Sequence, residues 1–595
     1  MKRLVTALLL SSMLAACGSN ESQPVPGPCA DTSTKYALPS PAWHQGTHLS
    51  APPGDAAAAL LGQHRAEWLT KLDQLDGWPI RPTIVVPMSK RATSIDPSLI
   101  KLYADTGSGL LEWPVEFSAS LEDSGRSLIL KPTNPFPPEV RDVILVVREG
   151  AAGSAIALPA CGADQKPDQA YVSAKESIAD LDDVQLALPF RLATTHQDLE
   201  YLWERLDGLI TPALIVESIE ERTLESFGEK APPPEIAVHL APTAYSGILE
   251  LPEYRDANGV FVRDLDKGPK IQGSTRPGFV LALPAQGAPP YPLVIFQHGG
   301  GQNKADFLLH AKPLAEAGFA IIGLDLPFHG DRASASGGSD LDILDFDNLL
   351  RTRDNLRQAA ADQMAIISGV DSLNAALEPF LGTSSSLDPE KVFYMGLSMG
   401  GISGSLTFAT ARKLNAAALF VGAAGYSEIV QFGFFSLMVA DILELDPLER
   451  EVVLGLAEVL LDGADPYAYA KRSEDRSTTP RPVIFFQAEG ELIIDPPTND
   501  AWARAFGADL AKPFDHSVSG MQELDLPADN NFSWTGSGNA ATRLLIQCPL
   551  AEVSAGERHG GLIVQDYSQQ IVADCFRSFL DQGKCTVLDT DFASH

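Results

Sequence analysis

A chain of 595 residues, 45% hydrophobic and 20% charged, is too long for one compact core, so two or three globular domains are expected. The formal charge of -33 argues against nucleic acid or an anionic membrane surface as a partner, because either would repel it. The acidic residues are spread thinly rather than in blocks, as on a well-solvated exported protein.

Lys2 and Arg3 precede an apolar stretch from Leu4 to Leu14, and the small residues Ala15 and Ala16 then precede Cys17, the layout of a signal peptide over residues 1–16. Leu14-Ala15-Ala16-Cys17 resembles the lipobox of bacterial lipoproteins. That resemblance implies that Cys17 becomes the lipid-bearing first residue of the mature chain and fixes it to a membrane. Gly18 in place of Asp implies, in that family, the outer membrane. The apolar stretch is too short to cross a bilayer, and no later segment stays free of charge for long enough. Residues 17–40 read as a polar, Pro-bearing tether. Cys29, Cys161, Cys548, Cys575 and Cys585 remain, an odd number that permits at most two disulfides, with Cys29–Cys161 and Cys575–Cys585 as candidates.

Within 41–160, short strands at 83–87, 99–103, 128–130 and 143–147 with turn residues between them suggest a small β-sandwich. Residues 161–233 read as a helical connector, with Leu199, Leu202 and Leu206 on one face of a helix over 197–209. From 234 to 595 strands alternate with helices, which implies parallel βαβ units in a doubly wound α/β sheet. The expected strands are 293–297, 320–324, 392–395, 417–421, 483–486 and 543–547. The expected helices are 304–317, 353–377 and 565–580.

Gly396-Leu397-Ser398-Met399-Gly400 fits Gly-x-Ser-x-Gly, whose glycines are needed because the serine occupies a cramped strand-to-helix turn. Chance alone supplies about 0.3 such matches in a chain of this composition, so context decides. Here residues 391–395 read as a strand, and 401–414 as a small-residue helix whose N-terminus faces the serine and favours developing negative charge. His298-Gly299-Gly300-Gly301 ends the strand 293–297, and its glycines let a backbone N–H point at a substrate carbonyl. Gly300 and Met399 are the expected oxyanion donors. His298 is expected to hold the shape of that loop.

With the order serine, acid, histidine, the general base lies beyond the last strand, where only His516, His559 and His595 are available after the nucleophile. His559 precedes the last helix and is the expected base, with His516 in a polar insertion and His595 at the terminus. Glu491 and Asp495 compete as the acid after the strand 483–486. Glu491 follows a turn and precedes apolar residues able to bury its contact with the histidine, so it is the expected acid and Asp495 the alternative. Asp325 and His329 are expected to hold the neighbouring loop.

A cap is expected at about 426–475, where Phe432, Phe434, Phe435, Leu437, Met438 and Val439 either form an apolar lid suited to acyl chains or a buried helix without substrate contact. Asp441 argues against its insertion into a membrane. The acidic loop 340–347 reads as solvated rather than as a calcium site, and no metal or cofactor is expected.

Four motifs carry a family resemblance: Gln297-His298-Gly299, Asp325-Leu326-Pro327-Phe328-His329-Gly330, Gly396-Leu397-Ser398-Met399-Gly400-Gly401 and Ala464-Asp465-Pro466-Tyr467-Ala468-Tyr469-Ala470. Together they resemble the bacterial extracellular lipases often called virulence-factor lipases, which are lipoproteins with an Ig-like N-terminal domain. Ile80-Arg81-Pro82-Thr83 and the residues after it resemble that family's front domain. The resemblance implies an α/β-hydrolase fold with an inserted helical cap behind a small Ig-like domain, and hydrolysis of carboxylic esters with acyl-ester or lipid substrates. That family usually carries Asp as its acid, where this chain offers Glu491. A peptidase or a polyester depolymerase would use the same residues, and an inactive surface-anchored binding lipoprotein is the expectation of another class.

Overall fold

The computed structural model describes residues 38–39, 43–45, 48–49 and 68–588, except 106–109, 115, 123, 138, 160–168, 179–182, 195, 208–213, 265–267, 334–338, 475–479, 534–538 and 551. The signal segment, Cys17, the tether before residue 38, the Cys29–Cys161 pairing and His595 lie outside the described residues, while Leu38, expected within the tether, is buried and exchanges backbone hydrogen bonds with Val85.

Two antiparallel sheets form the front of the molecule. One has the order Ile84–Pro87, Ser127–Pro132, Phe117–Leu121, and the other Leu110–Trp113, Ile100–Asp105, Asp142–Arg148, Val184–Arg191. In Asp142–Arg148 alternate side chains go to opposite faces, as strand geometry dictates. Val143, Leu145 and Val147 join the main core, while Ile144 and Val146 meet Ala174 and Ile178 at the helix Gln169–Ser177. The stretch expected as a helical connector therefore also supplies a sheet strand, Val184–Arg191, and a further long strand, Ile215–Thr223. Its helix Gln197–Asp207 buries Leu199, Leu202 and Leu206 against the helix Leu349–Ser368 of the following unit.

The large sheet runs in the order Ile215–Thr223, Leu240–Glu253, Gly278–Pro284, Ala320–Leu324, Tyr291–Gln297, Leu387–Leu397, Leu414–Phe420, Val483–Ala488, Arg543–Cys548, Asp509–Ala511, Glu523–Leu524. The first three pairings are antiparallel and all later ones parallel. Both faces are covered, which is why the central strands read as unbroken apolar runs. Val294, Phe296, Phe393 and Met395 pack towards the helices Lys312–Glu316 and Asp566–Gln582. Leu293, Ile295, Val392 and Tyr394 face the opposite core, with Leu349–Ser368 and Met399–Thr410. That second core runs without a break into the front sheets, from Ile84 and Val86 to Leu545.

Two expected helices are divided. The stretch 304–317 gives a 3-10 turn Asp306–Leu309 and a short helix Lys312–Glu316, because Pro313 is tolerated only in a first turn. The stretch 353–377 becomes Leu349–Ser368 and Val370–Leu381, broken at Gly369, where a Cβ would lie 2.7 Å from the Leu214 side chain. The cap between Leu414–Phe420 and Val483–Ala488 is helical, with Pro447–Leu461 its longest segment.

Candidate active site

The chain leaves Tyr291–Gln297 for the neighbour on one side, Ala320–Leu324, and returns on the other side as Leu387–Leu397. Such a reversal opens a crevice at the carboxyl ends of the strands, where open α/β sheets bind ligands. His298–Gly301 and Ser398 border it. Ser398 joins Leu387–Leu397 to the helix Met399–Thr410 at φ 56 and ψ -115, a conformation that costs a non-glycine residue energy and has to be imposed by its surroundings. The Ser398 N–H donates to Phe420 O at 2.8 Å, and the Tyr394 hydroxyl donates to Gly400 O at 2.6 Å. A Cβ at Gly396 would overlap Gly400 O, and one at Gly400 would overlap Gln297 O, so both glycines are needed for this turn to close.

The glycine loop lies directly against the serine: a Cβ on Gly299 would stand 2.9 Å from Ser398 Cβ, and one on Gly300 2.8 Å from Met399 Cε. The Gly299 N–H is spent on Gln302 Oε1 at 2.9 Å. Among the described residues no acceptor is found for the N–H of Gly300 or of Met399, the latter in the first turn of its helix, where donors are left over. His298 is buried. It donates from Nδ1 to Gly299 O at 2.8 Å and accepts the Leu326 N–H at Nε2, 3.1 Å, and burial pulls its pKa down to about 3. It is a neutral staple between two loops. Asp325 is held by Lys304 Nζ at 2.8 Å and by the N–H groups of Lys304 and Asp331, and His329 Nδ1 donates to Pro327 O at 2.9 Å.

His559 lies in the short helix Arg558–Gly561 and Glu491 in the loop after Val483–Ala488, and His559 Nδ1 is hydrogen-bonded to Glu491 Oε2. The Glu491 side chain is fully buried and that of His559 13% exposed. The other imidazole nitrogen, Nε2, is buried without a hydrogen-bond partner. Asp495 instead ends this loop as the residue before the helix Pro496–Ala505, and no hydrogen bond joins it to His559. His516 is held at 2.8 Å by Asp500.

Two features here were not read from the sequence. Arg558 donates to Glu489 O at 2.9 Å and Val553 O at 3.0 Å, binding the histidine loop to the acid loop. Beneath the serine turn Gln363 reaches Gln297 Oε1 at 3.2 Å and Ser403 Oγ at 3.1 Å, and accepts from Thr407. A buried glutamine on an otherwise helical face is the available signal, since buried polar groups require partners. A cavity of about 1050 Å³, lined by Trp113, Trp203, Thr410 and Arg412, opens at the far end of the helix Met399–Thr410 and belongs to no part of this site. Among the described residues no group of three or more His, Cys, Asp or Glu is placed to hold a metal ion.

A serine on a strand-to-helix turn, a glycine loop beside it, and a hydrogen-bonded glutamate and histidine on later loops of a mostly parallel sheet follow one chain order. The fold is that of the α/β-hydrolases. No protein-family model matches the chain, and no curated protein matches it significantly. Among solved structures it is similar to acetyl xylan esterase 1 from Thermoanaerobacterium sp. JW/SL YS485, 16% identical with a TM-score of 0.32, covering 55% of this chain and 85% of that one. The acetyl xylan esterase from Paenibacillus sp. R4 is 14% identical with a TM-score of 0.33, covering 56% and 88%. A rice cell wall degrading esterase from Xanthomonas oryzae is 13% identical with a TM-score of 0.33, covering 62% and 98%. At this identity the likenesses assign no substrate to the chain.

Proposed function

We propose that this α/β-hydrolase is a serine carboxylic ester hydrolase of the lipase and esterase type, acting through Ser398, His559 and Glu491. The observation that carries the reading is the Glu491–His559 hydrogen bond, which leaves a buried, partnerless imidazole Nε2, with the acid loop and the strained Ser398 both following the carboxyl ends of parallel strands of one sheet. In the reaction His559 Nε2 takes the Ser398 proton while Oγ adds to the ester carbonyl, and the oxyanion rests on the Gly300 and Met399 N–H groups. The same histidine returns that proton to the leaving alcohol as the acyl-enzyme forms. Water then repeats the sequence and frees the acid. Glu491 keeps the proton of the neutral imidazole on Nδ1 and stabilises the positive form.

Acyl chains suit the surroundings. Phe432, Phe434 and Leu437 of the cap are exposed, and the Phe434 N–H donates at 3.2 Å to Leu492 O, one residue beyond the acid. We further propose that the front sheets are an Ig-like sandwich and that Cys17 anchors the enzyme to the bacterial envelope. The test is Ser398→Ala: turnover of p-nitrophenyl butyrate and labelling by a fluorophosphonate are expected to vanish with the thermal transition retained. Undiminished turnover refutes the assignment. Rates on tributyrin, polyester film and an amide then separate ester from other acyl substrates.

A further inference from the structure

Two motifs stand outside the chemistry just described, Ile80-Arg81-Pro82-Thr83 leading into the front-sheet strand Ile84–Pro87 and Ala464-Asp465-Pro466-Tyr467 at the end of the cap. They meet in space. Arg81 Nη1 pairs with Glu428 Oε1 at 2.7 Å, and its guanidinium lies 4.5 Å from the centre of the Tyr467 ring. The N–H and the hydroxyl of Thr83 donate to the two oxygens of Glu458 at 3.1 Å each, in the last turn of the long cap helix. The Ile80 N–H reaches Asp462 Oδ1 at 3.3 Å, and Lys131 pairs with Glu451 at 2.8 Å. Within the cap, the buried Asp465 accepts the N–H groups of Gly425 at 3.1 Å, Tyr426 at 3.2 Å and Tyr467 at 2.9 Å, tying the start of the cap to its end.

From this meeting we infer that the front sheets are the clasp of the cap, and that Arg81 is a positioning residue that sets where the cap stands over the acid loop. Arg81 holds the start of the cap through Glu428 and its end through Tyr467, so one side chain fixes both legs of the insertion. The path to the chemistry is short. Four residues after Glu428 the chain reaches Phe432, and Gly433 then sits so close to Leu492 that a Cβ would overlap the Leu492 carbonyl. Leu492 follows Glu491. A shift of the Glu428 turn is thereby transmitted to the apolar rim beside the acid, while the Ser398 turn and the glycine loop hang from other strands and stay in place. Substrates that fill the rim feel the clasp, and small ones do not.

The test uses the full chain carrying Arg81→Met, which keeps an unbranched side chain against Tyr467 and removes the charge. Fluorophosphonate labelling and kcat on p-nitrophenyl acetate are expected within about two-fold of wild type, while KM for p-nitrophenyl decanoate rises about five-fold or more. Protease cleavage within residues 431–446 is expected to accelerate about ten-fold, because local opening costs less once the clasp is broken. Equal losses on both esters, or wild-type KM together with wild-type cleavage, overturn the inference. If Arg81→Met fails to fold, Glu428→Gln decides by the same criteria. The inference rests on the hydrolase reading only in its ester arm. The protease arm needs no substrate, so a wild type inactive on all esters counts against that reading and not against the clasp.

Discussion

Glu491→Gln isolates the contribution of the acid with almost no change of volume. The wild-type carboxylate is fully buried, gives Oε2 to His559 Nδ1, and leaves Oε1 buried with no donor. A glutamine has two placements there. With its amide oxygen towards Nδ1 the tautomer survives, but the imidazolium of the transition state loses its counter-charge, and the NH2 group enters the pocket where Oε1 found no partner. With the NH2 group towards Nδ1 the imidazole is forced to carry its proton on Nε2, so it cannot accept from Ser398. Either way kcat falls by about 10³- to 10⁴-fold, roughly 4 to 5.5 kcal/mol of transition-state stabilisation. Asp495→Asn is expected to stay within about two-fold, since no hydrogen bond joins it to the base. Steady-state hydrolysis of p-nitrophenyl butyrate by both variants, with thermal transitions recorded alongside, measures the contrast. A Glu491→Gln enzyme retaining more than about a tenth of wild-type kcat, or a collapse in Asp495→Asn, refutes the assignment of the acid.

Three further outcomes are expected. Gly400→Ala forces a methyl into Gln297 O and is expected to cost more than about 3 kcal/mol, read as a large fall in the denaturant midpoint. His310 is buried beside Phe296 with neither ring nitrogen hydrogen-bonded, and burial pulls its pKa down to about 4 against the opposing charge of Asp306. The unfolded chain takes up that proton near pH 6.5, so this share of stability is complete above about 6.5 and is lost as pH falls towards 4. His310→Phe should therefore narrow the difference between urea midpoints at pH 7 and 4.5, and an unchanged difference refutes it. The disulfide Cys575–Cys585 closes a separation of 10 residues at the end of the last helix. Its replacement by two serines is expected to lower stability by about 3 kcal/mol, by loop-closure entropy, and to spare fluorophosphonate labelling.

The candidate site residues can be named from the sequence because each is announced locally. The Ser398 turn needs two glycines within five residues, the glycine loop closes a buried strand, and Glu491 follows the Gly490 turn, whose φ is 64. Strands buried on both faces stand out as apolar runs for the same reason. What escaped depends on partners far away in the chain. Val184–Arg191 contains Pro189 and little alternation, and it becomes a strand by pairing with Asp142–Arg148, some forty residues earlier. Arg558 looks like any surface arginine until its two carbonyl partners are in place. The contact of Thr83 with Glu458 spans 375 residues, and at Gly369, where the helix is divided, Leu214 packs where a Cβ would stand. Periodicity carries no record of such meetings.

The unbroken core joining the front sheets to one face of the large sheet bears on how the molecule comes apart. A boundary drawn at residue 233 separates two sequence styles, but it does not separate two folding units. A fragment starting there would bare the stripe of the cap helix that faces the front part, where Gly455 lies beside Leu38 and Thr83, and would leave Glu451, Glu458 and Asp462 without their partners there. Heating is therefore expected to melt both parts in one calorimetric transition whose van't Hoff and calorimetric enthalpies agree. A front module fused in this way is not interchangeable. Grafting a different sandwich in its place would demand a new cap surface at the same time, so the two parts can change only together.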